Sequence, residues 1–137
     1  MFDDERVSPD DVAYQMLVRI PLGTVVLEEV AFRAVLPVLL DGIERSTPSV
    51  SSAVLFGLWH VLPTLNTLDI NEVADPTSRV KAVGGGVGAT AVVGWLFDWL
   101  RLRTGSVTAP MLVHWSANAV SYAIAAHRRP TRTRLSS

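Results

Sequence analysis

The chain has 137 residues, of which 49% are hydrophobic and 18% charged, with a formal net charge of −1 and no cysteine. This length suits one domain, and the near-neutral charge gives no electrostatic basis for binding nucleic acid. The lack of cysteine excludes disulfides, thiolate metal ligands and a cysteine nucleophile.

Four apolar stretches of about 20 residues follow one another, each long enough to cross a hydrocarbon core as a helix. Before them, Ser8 and Pro9 open a predicted surface helix over residues 12–19, and we expect Pro21 to end or kink it. The predicted spans are residues 22–40, 49–65, 80–102 and 107–126. A polar turn at 41–45, a polar loop at 66–79 and a break at 104–106 separate them.

These elements predict an all-α fold, namely a polytopic membrane helix bundle of about four transmembrane helices with an N-terminal surface helix. We expect a single domain over residues 1–137, ending in a basic flexible tail at residues 127–137. Four spans would place both termini and the 66–79 loop on one side, with seven lysines and arginines against three on the other. This excess predicts a multi-pass cell-membrane protein with cytoplasmic termini and membrane lipid as its surroundings.

Three polar groups interrupt the apolar spans, and ionisable residues inside a span indicate a functional site by default. At 1.5 Å of rise per residue, Glu28, His60 and His114 would lie roughly 12–18 Å below the same membrane face. We therefore expect them to form one layer, as a shared site requires. The groups are Glu28, Glu29 and Arg33; Phe56 and His60; and His114 and Asn118.

Spacing suggests a role for each polar residue. Glu29 and Arg33 are four residues apart, which suits an ion pair on one helix; that pair could serve either the structure or the site. Glu28 falls outside this spacing, so its carboxylate suits a general base that takes a proton from water. His114 and Asn118 share a helix face and could donate hydrogen bonds to a developing oxyanion.

The same residues leave two kinds of hydrolysis open. Glu28, His60 and His114 form a ligand set that zinc accepts in hydrolases. They would come from three helices, and their spacing does not distinguish a zinc site from a metal-free one. No cofactor is favoured. We expect Phe56, which shares a helix face with His60, to pack rather than to take part in the chemistry.

Two features of the third span suggest structural roles. Gly84 and Gly88 have the four-residue spacing that predicts close helix packing in a membrane. Asp98 and Arg101 are expected to form a surface ion pair near the end of that span.

The three polar groups resemble the motifs of the CAAX-protease and bacteriocin-processing (CPBP, or Abi) intramembrane proteases. The sequence EEVAFR at residues 28–33 is similar to the family's EExxxR motif. FGLWH at residues 56–60 resembles FxxxH, and HWSAN at residues 114–118 resembles HxxxN. The motifs occur in the family's order and cover most of the chain. Ala34 stands where the family usually has glycine, and relatives usually have further spans before the first motif, so we expect this chain to lack those leading helices.

The resemblance implies an intramembrane endopeptidase that acts on a peptide or protein substrate. Glu28 and His60 would activate water, His114 and Asn118 would stabilise the oxyanion, and Glu29 and Arg33 would support the site. Two substrate classes are implied. Eukaryotic members of the family remove the last three residues of prenylated proteins, which implies CAAX-type cleavage. Bacterial members have been linked to bacteriocin processing, which implies cleavage of a bacteriocin or leader peptide. The alternative is a non-catalytic membrane scaffold or immunity protein that keeps the fold. A proton-coupled transporter is disfavoured because the chain shows no internal repeat.

Overall fold

The computed structural model describes residues 9–127, and their regular secondary structure is entirely helical. The described residues divide into two compact units: residues 9–27 together with 111–127, and Glu28–Pro110. The predicted Ser8 cap and the predicted tail after His127 lie outside the described residues. The helical segments in chain order are α1 (Pro9–Tyr14), π1 (Gln15–Arg19), π2 (Pro21–Val25), α2 (Val26–Glu29), π3 (Val30–Val35), α3 (Leu36–Asp41), α4 (Val50–Trp59), α5 (Val61–Ile70), α6 (Pro76–Thr104) and α7 (Thr108–His127).

Two prolines account for the positions of wide helical turns. Pro21 does not end the first helix, because the backbone remains helical through it as π2; of the expected end or kink, the end is therefore excluded. A proline ring clashes with the carbonyl four residues earlier and cannot donate to it. For Pro21 that carbonyl belongs to Leu17 inside π1, and for Pro37 it belongs to Arg33 inside π3. The wider π turn lets the helix continue past each proline.

A third proline accounts for the break in the second predicted span. α4 ends at Trp59 and α5 begins at Val61, with His60 in a turn between them. Pro63 cannot donate to the carbonyl of Trp59, and the N–H of His60 donates to the carbonyl of Gly57, at 3.1 Å. α5 then continues to Ile70, so the loop predicted at residues 66–79 is only residues 71–75.

The ends of the long helix α6 follow ordinary capping chemistry. The Asp75 carboxylate accepts the backbone N–H of Ser78 at 2.7 Å, and Pro76 occupies the first helical turn. At the other end Gly105 has φ +67°, a left-handed conformation that favours glycine. The break predicted at residues 104–106 is therefore confirmed.

Close packing inside Glu28–Pro110 depends on glycines other than those predicted. A Cβ atom built on Gly57 of α4 would lie 2.6 Å from the carbonyl oxygen of Val87 on α6. One built on Gly94 would lie 2.9 Å from the Phe56 ring. Nothing in the described chain lies within 4 Å of a Cβ on Gly84 or Gly88. The prediction of close packing at Gly84 and Gly88 is therefore wrong within Glu28–Pro110, because α4 approaches α6 on another face.

The distribution of polarity is the reverse of that in a water-soluble protein. Glu29, Arg33 and Asp98 are almost fully buried, while large apolar side chains such as Leu39, Leu62 and many others are exposed. Two helical segments, Val50–Ile70 and Pro76–Thr104, are long and apolar enough to cross a membrane, with mean hydropathies of 1.2 and 1.4. Only 17% and 11% of these windows are buried, whereas a core helix of a soluble protein is mostly buried.

The other two predicted spans are helical but are not recognised as long and apolar enough to cross a membrane. Residues 22–40 and most of residues 107–126 are helical, but neither stretch passes the same test of length and hydropathy. In the unit that contains α7, the indole nitrogen of Trp115 donates to the backbone carbonyl of Met16 at 2.7 Å. The described chain thus confirms an all-α fold with two candidate membrane spans.

Candidate active site

Glu28 is a buried carboxylate held by an indole. It lies in α2 with 8% of its surface exposed, and its Oε1 accepts a hydrogen bond from Nε1 of Trp59 at 3.1 Å. Trp59 is the last residue of α4 and directly precedes His60. The hydrogen bond therefore joins the EEVAFR segment at residues 28–33 to the FGLWH segment at residues 56–60.

Glu29 and Arg33 form the predicted ion pair. Oε2 of Glu29 lies 3.3 Å from Nε of Arg33, and both side chains are fully buried. The Arg33 guanidinium also lies over two aromatic rings, 4.4 Å from the centre of Phe56 and 5.5 Å from that of Phe97. An arginine in this setting is stabilised by the carboxylate and by the negative faces of the rings. Phe56 is thus a packing residue, as expected.

His60 has one ring nitrogen engaged by the backbone. Nδ1 lies 2.8 Å from the carbonyl oxygen of Phe56. Because a carbonyl only accepts, this contact assigns the proton to Nδ1 and makes Nε2 the nitrogen that can take up a proton. The His60 ring also packs edge-on against the Phe56 ring, with centroids 4.7 Å apart.

A backbone carbonyl in the wide turn of π3 is satisfied by side chains. The carbonyl oxygen of Phe32 accepts the Ser52 hydroxyl at 2.7 Å and Nη1 of Arg33 at 3.2 Å. Ser52 thereby fastens α4 to the segment that carries Arg33. In a membrane such side-chain bonds replace the water that would otherwise satisfy an open helical turn.

Asp98 forms an ion pair with a different arginine from the one predicted. It was expected to form a surface pair with Arg101, but its side chain is buried and binds Arg45 in the loop before α4. Nη1 and Nη2 of Arg45 donate to the two carboxylate oxygens at 2.5 and 2.9 Å, and the backbone N–H of Ser49 donates at 2.7 Å. The hydrogen bond to Asp98 raises the pKa of Arg45. Asp98 therefore fixes the start of α4 against α6.

The third motif belongs to the other compact unit. His114 is buried and Asn118 is half-buried, four residues further along α7, while Ser116 and Ala117 between them are exposed. Both predicted residues therefore lie on the less exposed side of their helix. Among residues 9–127, no group of three histidine or carboxylate side chains is arranged to hold a metal ion.

A separate apolar groove lies between α5 and α6. Its volume is about 710 Å³, and its lining contains no carboxylate or histidine. Arg79 at the groove pairs with Asp69 at 2.8 Å. The lining residues are Leu65, Pro76, Arg79, Val80, Val83 and Gly84.

The chain matches one protein-family model, described as type II CAAX prenyl endopeptidase Rce1-like, over residues 11–120. The match includes all three polar motifs and most of the 137 residues. No curated protein and no solved structure matches the chain.

Proposed function

Because the chain belongs to the Rce1-like family of type II CAAX prenyl endopeptidases, we propose that it is an intramembrane endopeptidase. In the proposed reaction Glu28 and His60 activate a water molecule, which attacks the carbonyl carbon of a peptide bond. The observation that carries the proposal is the junction of the first two motifs. Trp59 binds Glu28, and the next residue is a histidine whose tautomer is set by the Phe56 carbonyl.

The proposed chemistry needs a proton acceptor and a stabiliser of negative charge. The water proton passes to Glu28 or to Nε2 of His60, and the hydroxide forms a tetrahedral intermediate with the substrate. The family motif assigns His114 and Asn118 to the oxyanion. Return of the proton to the leaving amine completes the cleavage. Glu29 and Arg33 act as supports, because each is already engaged in a buried ion pair.

The substrate and the membrane arrangement are the finer parts of the proposal. The family description favours a prenylated CAAX protein as substrate, and leader-peptide processing is the second class. We also propose four spans with cytoplasmic termini, two of them being the candidate spans Val50–Ile70 and Pro76–Thr104. A non-catalytic scaffold remains the competing function, since the ion pairs would stabilise the fold in either case.

The test is peptide cleavage by the purified protein reconstituted in liposomes. The probe is a quenched fluorescent peptide ending in a farnesylated CAAX sequence, compared with an unprenylated leader peptide. We expect cleavage by wild type and a loss of at least about a hundredfold in Glu28→Gln and in His60→Ala, because general acid–base groups typically contribute about 10²–10⁴-fold. Glu44→Gln, which changes an exposed loop carboxylate, is the matched control.

The outcomes separate enzyme from scaffold. Cleavage that persists in a folded Glu28→Gln protein would rule out the proposed mechanism, and a wild type that cleaves neither peptide would favour the scaffold. Asn118→Ala tests the oxyanion assignment on its own. Adding a zinc chelator to the wild type distinguishes the two chemistries, because only a zinc-dependent enzyme would lose activity and regain it on adding zinc.

A further inference from the structure

We propose that Trp59 is a positioning residue for Glu28, with its indole N–H holding the carboxylate in the orientation that water activation requires. This inference rests on the proposed function, because it assigns to Trp59 a part in the same reaction. Neither the EExxxR nor the FxxxH pattern specifies this residue, because Trp59 stands at one of the unspecified positions between Phe56 and His60.

The geometry of Trp59 separates its apolar body from its polar atom. Half of the side chain, 52%, is exposed among the outward-facing apolar residues. Its one polar atom, Nε1, instead points inward to Oε1 of the buried Glu28, at 3.1 Å. The indole ring also packs near Phe32, with centroids 6.1 Å apart.

In a membrane environment the acceptor that the indole N–H of Trp59 binds is informative. An indole N–H in hydrocarbon has no water to bind, so it must find a protein acceptor. Trp115 meets the same need with a backbone carbonyl, that of Met16. Trp59 meets it with the side chain that the proposed reaction uses as a base. A backbone carbonyl would satisfy the indole equally well, so the choice of a carboxylate points to the site.

The contact also complements the neighbouring ion pair. Arg33 contacts Glu29, Phe56 and Phe97. The indole of Trp59, a donor on another helix, contacts Oε1 of Glu28. Because this donor belongs to a large ring packed near Phe32, it fixes the direction from which that oxygen is held. Orientation of this kind favours the geometry in which the base meets the water proton.

The first test observes the contact without requiring activity. The indole N–H groups of the four tryptophans are followed by ¹⁵N–¹H NMR in micelles, and Trp59→Phe identifies the resonance of Trp59. We expect Glu28→Gln to shift the Trp59 resonance and to leave that of Trp99 in place, whereas Glu44→Gln shifts neither. A Trp59 resonance that does not respond to Glu28→Gln would overturn the proposal.

The second test separates positioning from packing. Trp59 is replaced by benzothienylalanine, which keeps the ring shape but lacks the N–H, and by 5-fluorotryptophan, which keeps both. With the farnesylated peptide as probe, we expect the first variant to lose about ten- to hundredfold in kcat at unchanged KM, since a hydrogen bond to a charged group contributes a factor of that order. The second variant should retain wild-type kcat. Trp99→benzothienylalanine is the matched control and should also retain it.

The results distinguish this inference from the proposed function. Full kcat in the Trp59→benzothienylalanine protein, with an active wild type, overturns the positioning role alone. Equal losses in both Trp59 variants also overturn it, because they indicate that ring packing and not the N–H matters. If the wild type cleaves nothing, the proposed function and the positioning role of Trp59 in it fall together, while the NMR shift still decides whether the contact exists.

Discussion

Adding one methyl group at Gly57 tests how closely α4 approaches α6. A Cβ atom there would lie 2.6 Å from the backbone oxygen of Val87 and 3.0 Å from Cβ of Ala91. Ordinary contact begins at 3.4 Å, so the two helices would have to separate by about 0.8 Å. A backbone oxygen cannot rotate away, and overpacking of this kind costs about 1–3 kcal/mol. Alanine recovers roughly 0.5–1 kcal/mol through its better helix propensity. We therefore expect Gly57→Ala to lower the free energy of unfolding by up to about 2.5 kcal/mol relative to wild type, and by about 1–3 kcal/mol relative to an alanine that meets no clash.

The matched control is Gly84→Ala on α6, where nothing in the described chain lies within 4 Å of the added atom. This variant gains the helix propensity without the clash, so it should be at least as stable as wild type. Both are compared by reversible unfolding in mixed micelles, followed by helical circular dichroism. Gly57→Ala should also reduce peptide cleavage, because α4 carries Phe56 and ends beside His60. If Gly57→Ala is as stable as Gly84→Ala, the close α4–α6 approach is incorrect.

Three further substitutions test the supports of the site. Asp98→Asn should destabilise the protein by about 3–5 kcal/mol, because it leaves the Arg45 cation without its buried carboxylate. Adding Arg45→Met should recover part of this loss. Strictly additive losses of the two substitutions in unfolding experiments would count against a direct pair. Hydrogen bonding to Ser78 lowers the pKa of Asp75 below its usual 3.8, so the cap stabilises α6 above that pH and the contribution disappears as the pH falls through the lowered value. Thermal unfolding should thus place Asp75→Ala below wild type at pH 7 and close to it near pH 2, and a gap that stays constant between these pH values would contradict the cap. Ser52→Ala removes the hydroxyl that binds the open carbonyl of π3 and should cost about 1 kcal/mol, whereas an unchanged melting temperature would mean that the bond contributes nothing.

Local spacing was sufficient to predict the parts of the site that lie on a single helix. The four-residue separation of Glu29 and Arg33 predicted their ion pair, which the structure contains at 3.3 Å. The apolar character of the helices and the break near Gly105 were likewise readable from the sequence. These features depend on helical periodicity and on residue conformations, and both act over a few residues.

Contacts between distant segments could not be predicted in the same way. Asp98 and Arg45 are 53 residues apart, and the sequence offered the nearer Arg101 as a partner. The correct partner follows from the crossing of α4 and α6, which places the loop before α4 beside the buried face of α6. The hydrogen bond from Trp59 to Glu28 depends on tertiary packing as well.

Some missed features did have a sequence signal. Three prolines lie four residues after a residue in a wide turn or at a helix end, namely Pro21, Pro37 and Pro63. A proline has no N–H to donate to the carbonyl four residues earlier, as a regular α-helix requires. Applied to Pro63, this rule would have predicted the turn that contains His60. The second motif thus places its histidine at a helix break, and a proline three residues beyond the histidine accounts for it.

The buried charges of Glu28–Pro110 differ in the partners that hold them. Glu29 binds Arg33 and Asp98 binds Arg45, so neutralising either carboxylate would leave a buried cation behind. Glu28 accepts a hydrogen bond from the indole of Trp59, a neutral donor on α4. A loss of activity in a Glu29 or Asp98 variant would therefore report on folding as well as on catalysis, so Glu28→Gln and the Trp59 variants are the sharper tests of the proposed reaction.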